Sequence, residues 1–384
     1  MYRRSYLQIP GPTNIPDPVL QALNHPAINH RGSEFAELLA HNVRGLKQVM
    51  QTENDILLFP SSGSGGLEAA IVNLLSPGDK VLAVNMGVFS QRMGQIAHNF
   101  GASVTWIEKE WGTAVTAADY RAVLEHDLKY EYKAVFVTHN ETATGVLVDV
   151  ESVRRMLDDL HHPALLVVDA VSSLAISDLQ TDTWGVDVVV SASQKGLMLP
   201  GGLSVISVSP KAWAAQERAT MPKWYWNFST MRQRMAIGQM PYTPAINLFF
   251  GLEVALKLLQ EEGMPNVFRR HTRNALAMQA GLMAMGLELL VENEAERSPA
   301  VTAVKLPANI AYQDLARGTE QLGVTIGGGL QRLEGKIFRV GHLGMLHEME
   351  VIATLGALEM VLHKLGHDLQ LGVATGAAMA SYLR

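Results

Sequence analysis

The chain has no cysteine among its 384 residues, which excludes disulfide frameworks, thiolate nucleophiles and cysteine-ligated zinc or iron–sulfur centres together. It lacks any run of about 18 apolar residues, the length that a membrane span needs. The opening Met-Tyr-Arg-Arg-Ser-Tyr-Leu-Gln-Ile-Pro has no signal-type apolar core. Charge of one sign is scarce too: the net charge is -6, with 18% charged residues and no long like-charged block. No basic face is offered to nucleic acid or anionic lipid. The expectation is a soluble, cytoplasmic protein that works on small molecules.

What is present is length and alternation. A chain of 41.9 kDa suits two domains. After a Pro/Gly-rich extended start, residues 35–50 carry helical apolar spacing. Short apolar runs then recur at 56–59, 80–84, 103–107, 134–138, 164–169 and 186–191, separated by stretches with helical spacing such as 66–75 and 152–160. This order predicts an α/β fold whose sheet is mostly parallel and covered by helices. Beyond a further run at 203–208, long helices are expected over 247–261 and 267–285, and a mixture of strands and helices after them. The expected division is an extended segment at 1–18, a large domain at 19–262 and a smaller C-terminal α+β domain at 263–384.

Polar residues that close apolar strands are the first candidates for chemistry, because open α/β sheets bind ligands at strand carboxyl ends. Asp169 closes Leu165-Leu166-Val167-Val168, and Lys195 follows Val188-Val189-Val190-Ser191-Ala192-Ser193-Gln194. A carboxylate and a lysine ending neighbouring buried runs form either a plain ion pair or a pair that shares a ligand. Pyridoxal phosphate (PLP) uses such a pair: the lysine holds its aldehyde as a Schiff base and later acts as base, while the carboxylate keeps the ring nitrogen protonated. Ser61-Ser62-Gly63-Ser64-Gly65-Gly66 precedes a helix expected to begin near Leu67, so its backbone could face a phosphate. An ordinary strand-to-helix turn is the alternative there.

Other ligand signatures fail on their letters. Glu68 stands where a dinucleotide fingerprint needs its third glycine, and Ile337 follows Gly335-Lys336 where a triphosphate loop needs Ser or Thr. His347-Glu348 is followed by Val351 at the position of a zinc helix's second histidine, and no metal site is expected. A nicotinamide oxidoreductase and a non-catalytic binding protein that kept the fold are the readings left from other classes.

With those residues in view, the chain resembles the class V aminotransferases of PLP fold type I, in the serine–glyoxylate and alanine–glyoxylate branch. The resemblance rests on Pro10-Gly11-Pro12-Thr13-Asn14, Asn29-His30-Arg31, His139-Asn140-Glu141-Thr142-Ala143-Thr144-Gly145-Val146, His162-Pro163-Ala164-Leu165-Leu166, Ser193-Gln194-Lys195-Gly196 and Phe338-Arg339-Val340-Gly341-His342-Leu343-Gly344. It covers nearly the whole chain. It implies Lys195 and Asp169 as catalytic residues, Ser64, Gly65, Gly66 and Gln194 at the phosphate, Phe89 and Val171 against the ring, and Thr142 beside the ring hydroxyl. It further implies that Arg339 and Gly11 bind the substrate, Arg339 gripping its carboxylate, and that Tyr242 and Thr243 reach the neighbouring subunit's phosphate in a homodimer with shared sites.

The implied reaction moves an amino group from a small L-amino acid, L-serine first, to glyoxylate, giving glycine and hydroxypyruvate. Aspartate–glyoxylate and alanine–glyoxylate enzymes are the alternatives, since Leu67 stands where many serine enzymes of the group carry an aromatic residue. The alanine-rich stretch 372–380 is similar to the end of the serine group.

Overall fold

A computed structural model describes residues 5–384, so residues 1–4 of the expected extended segment lie outside it. Thirteen strands are present among the described residues: β1 (Tyr6–Gln8), β2 (Asp55–Phe59), β3 (Lys80–Asn85), β4 (Ser103–Glu108), β5 (Tyr132–Thr138), β6 (Asn140–Glu141), β7 (Val146–Leu147), β8 (Leu165–Asp169), β9 (Val188–Ala192), β10 (Ser204–Val208), β11 (Val301–Lys305), β12 (Val324–Gly328) and β13 (Ile337–Gly341).

Seven of them form the main sheet in the order β2-β10-β9-β8-β5-β3-β4. Only β10 runs against its neighbours; the other pairings are parallel. Every residue of β8, β9 and β10 is buried, which explains their unbroken apolar runs: helices cover both faces. β4, last in the order, is the exception and carries exposed or half-exposed residues at five of its six positions. The chain reverses its strand order between β3 and β5, where carboxyl ends diverge and leave a crevice.

The second sheet has the order β1-β12-β13-β11. β1 pairs parallel with β12, Tyr6 opposite Val324, so the amino-terminal stretch is a sheet member as well as an extended lead-in. A large apolar core surrounds the main sheet, and a second one, with Phe338, Leu355 and Met278 at its centre, packs under the other.

Between the long helices Ile246–Glu262 and Met264–Ala284, Gly263 takes φ 80°, a left-handed conformation that stops the first helix. Pro265 sits in the first turn of the second, where its missing N–H costs nothing. Arg270 spans the break with two hydrogen bonds to the Glu262 carboxylate, at 2.7 and 2.9 Å. The alanine-rich end forms a further helix, Val373–Tyr382, which adds Ala374 and Ala378 to the second core.

Candidate active site

Carboxyl ends of β2, β3, β5, β8 and β9 converge on a cavity of about 250 Å³ lined by Gly11, Ser62, Gly63, Ser64, Phe89, Thr142, Asp169, Val171, Gln194 and Lys195, among others. A larger surface crevice, about 630 Å³, lies near the amino ends of β5 and β8, but its polar lining, with Tyr132, Lys133 and Lys211, holds no such convergence of strand-end chemistry. Position, not size, singles out the smaller cavity.

Asp169 is the last residue of β8 and is 5% exposed. Burial pushes its carboxyl up to about 7, against the pull of the Val171 N–H, which donates to Asp169 Oδ1 at 2.9 Å. Lys195 follows β9, and its ammonium donates to the Pro10 carbonyl oxygen. Burial, with help from the nearby Arg339 charge, brings the lysine down to about 8. A free amine is therefore far more available here than on an exposed lysine. Gly11 makes this placement possible: with φ 121°, its α-carbon lies so close that a Cβ would stand 2.4 Å from Lys195 Nζ.

The Ser/Gly segment differs from the expectation in one respect. The helix begins at Gly63, not near Leu67, with Ser62 as its N-cap. Glycines cost a helix about 1 kcal/mol each, and contacts explain them. A Cβ on Gly63 would come within 2.6 Å of Val171, and one on Gly66 within 2.8 Å of Ser204 and 2.9 Å of Val190. The first turn is thereby drawn onto the sheet. Ser62, Gly63, Ser64 and Leu67 line the cavity, while the Gly65 and Gly66 N–H groups donate to the Ser62 carbonyl.

Arg339, in β13, is 7% exposed and sits beside the Thr142 wall, donating from Nη1 to the Thr142 carbonyl at 3.0 Å and from Nε to that of Gly328 at 2.7 Å. Burial lowers it to about 10. Two of its five N–H donors are thus committed and the outer edge of the fork stays available. Tyr242 and Thr243 lie elsewhere, on a small hollow with Pro60, Leu203 and Met240. The Tyr242 ring stacks at 4.6 Å on Tyr225 and at 5.3 Å on Trp224, which is 75% exposed.

Four polar residues of the site, Arg92, Asn140, Glu141 and Ser172, carried no expectation of a role. Arg92, Asn140 and Ser172 line the cavity with Ser62, and Ser172 Oγ is hydrogen-bonded to Thr142 Oγ1 at 2.6 Å and to Asn140 Nδ2 at 2.9 Å. Glu141 is fully buried and accepts from the N–H groups of Phe89, Ser90 and Ala143 at 3.0, 2.7 and 3.0 Å. Burial pushes its carboxyl up, and it ties the helix that presents Phe89 to the loop that presents Thr142.

The donor set fits PLP. A depressed lysine amine and a buried carboxylate share the cavity, Phe89 and Val171 add apolar lining for a flat ring, and the Gly63–Leu74 helix turns its positive end inward. Gln194 Oε1 and Asn140 Oδ1 are buried without a partner, as expected of polar atoms awaiting a ligand.

Comparison with known proteins agrees with this geometry. The family model described as "Aminotransferase class-V" matches residues 5–340. The L-aspartate–glyoxylate aminotransferase of Paracoccus denitrificans is 42% identical over 97% of this chain and 95% of its own length. The serine–glyoxylate aminotransferase of Hyphomicrobium methylovorum is also 42% identical, over 97% and 93%. Among solved structures, the alanine–glyoxylate aminotransferase of a Nostoc species superposes with a TM-score of 0.89 at 32% identity, covering 94% of this chain and 96% of that one. This chain therefore belongs to the class-V aminotransferase family and is a PLP-dependent aminotransferase of fold type I.

Proposed function

We propose that the enzyme transfers the amino group of a small L-amino acid, L-serine foremost, to glyoxylate. The observation that carries the donor choice is the charge of the cavity: its lining cations are Lys195, which the cofactor's aldehyde takes, and Arg92, which stands at the Ser64 end assigned to the phosphate. With Arg339 taken by the α-carboxylate, a β-carboxylate donor finds no free cation among the described lining residues, whereas the hydroxyl and amide groups of Ser172 and Asn140 suit a hydroxymethyl side chain. The names of the serine–glyoxylate relatives support the same choice.

When bound, PLP supplies the aldehyde that takes the amino group and a ring that accepts electrons from the Cα–H bond. The protein's residues do the rest. Lys195 would hold the cofactor at rest, and its freed amine would take the proton from the donor's Cα and return it at the aldehyde carbon. Asp169 holds the proton on the ring nitrogen. Ser64, Gly65, Gly66 and Gln194 form the phosphate end, Phe89 and Val171 flank the ring, and Thr142 attends the ring hydroxyl. Arg339 orients the donor through its carboxylate, with Gly11 keeping Lys195 in place. Tyr242 and Thr243 serve the partner subunit's site in a homodimer, which the exposed Trp224–Tyr225–Tyr242 aromatic stack supports. A monomeric mass under assay conditions would exclude that sharing.

Single-turnover trials with L-serine, L-aspartate and L-alanine decide the donor. The visible band of the bound cofactor should bleach fastest with L-serine and return on adding glyoxylate. Arg339→Lys should slow every donor alike, by about 10- to 100-fold, since an ammonium cannot reproduce the guanidinium fork. Faster bleaching by L-aspartate would move the assignment to the aspartate enzymes.

A further inference from the structure

Arg92 stands one turn after Phe89 on the Val88–Asn99 helix, so both residues share a face. Its Nη1 donates to Ser64 Oγ at 3.0 Å, and its guanidinium carbon lies 4.8 Å from the centre of the Phe89 ring. All three residues line the cavity. Among the described residues Arg92 makes no ion pair within 4 Å: its hydrogen-bond partner is a neutral hydroxyl, its ring partner is Phe89, and the Asp169 carboxylate feels its charge only at longer range. Such a group calls for an anion.

The surroundings specify which one. Ser64 lies in the first turn of the Gly63–Leu74 helix, whose positive end reaches the same wall, and Gln194 brings an unpartnered buried amide oxygen, interchangeable with its nitrogen by a flip. A phosphate monoester brings a charge of about -1.5 to -2 at neutral pH, more than a helix end worth about half a charge can balance. Lys195, the other cation in the lining, is bonded to the Pro10 carbonyl. The charge that remains to meet a phosphate is Arg92.

We propose that Arg92 binds the phosphate of the cofactor, supplying its main fixed positive charge, with Ser64 orienting the guanidinium. This rests on the reading of the cavity as the PLP site and deepens it. The same residue then supports Phe89 from its own helix turn, so the phosphate grip and the ring's apolar lining are set by one element.

The test compares two ligands that differ only in the phosphate. Cofactor-free wild-type protein, Arg92→Gln and Arg92→Lys are each titrated with PLP and with pyridoxal, following tryptophan fluorescence and the visible band. Arg92→Gln should lose about 10- to 100-fold in PLP affinity, the range of a charge-assisted hydrogen bond, with pyridoxal affinity changed less than about threefold. Arg92→Lys should recover part of the loss, and inorganic phosphate should compete with PLP less well in Arg92→Gln than in wild type. Equal weakening of both ligands would make Arg92 a purely structural support and overturn the proposal. So would an unchanged PLP-to-pyridoxal preference accompanied by a raised KM for L-aspartate, which would assign Arg92 to the donor's side chain. A wild-type protein that bound pyridoxal as tightly as PLP would instead remove the phosphate end from this cavity altogether.

Discussion

Lys195→Ala should lower steady-state transamination by about 10⁴-fold, the upper end of what a positioned acid–base group contributes. The size of the effect follows from the site. On the proposed reading one amine both holds the cofactor and moves the proton between two carbons, and among the described residues no other amine lines the cavity. Deleting it removes the base without collapsing the pocket, because Pro10 and Gly11 keep their places in a segment anchored by β1 and by the Thr13 hydroxyl, which donates to the Leu343 carbonyl at 2.9 Å. The variant should still bind PLP, without covalent attachment, and small added amines should restore part of the rate. Wild-type protein stripped of cofactor should capture PLP at a rate that climbs with pH and levels off above about 8, since only the unprotonated lysine attacks and burial places its titration there. A variant rate within tenfold of wild type would refute the role of Lys195.

Asp169→Ala should cost about 10²- to 10³-fold in rate, comparable to removing a preorganised electrostatic partner, with a smaller loss of cofactor affinity. Burial outweighs the Val171 N–H and the nearby cations and raises the titration of this carboxyl to about 7. If the cofactor's ring nitrogen faced it, this carboxyl would hold a proton on that nitrogen, and the low-dielectric surroundings would strengthen their attraction. Asp169→Asn keeps the shape and removes the charge, so its rate should fall with that of the alanine variant. Rates near wild type in both would show that the ring needs no fixed negative charge. The measurement is kcat at saturating PLP, set beside the affinity from titration, which separates lost chemistry from lost binding.

Much of this arrangement is legible before any coordinates. The apolar runs before Asp169 and Lys195 are long enough, and unbroken enough, to read as strands covered on both faces, and the polar residues that close them then fall at the ligand edge of the sheet. The helix start at Gly63 is less legible because three glycines in four residues resemble a loop; only their contacts with Val171, Ser204 and Val190 show why a helix tolerates them. Glu141 and Arg92 are invisible for a different reason. Glu141 is an acidic residue in a polar stretch, and its partners Phe89 and Ser90 lie about fifty positions earlier. Arg92, followed by Met93 and Gly94, reads as an ordinary residue of an amphipathic helix, and its bond to Ser64 spans two crossovers of the sheet. Periodicity describes a residue's own element, so pairings of this kind leave no local trace.

The pairing of Tyr6 with Val324 sets the order in which the enzyme can be completed. The carbonyl of Pro10 that holds Lys195 sits just past a strand whose partner among the described residues is made more than three hundred residues later. On a ribosome, the main sheet, Asp169 and Lys195 all emerge while β1 has nothing to pair with. Closure of the pocket over the lysine must await β12, a contact of very high sequence separation and correspondingly slow to form. Nascent chains therefore carry an unfinished pocket until β12 has been made.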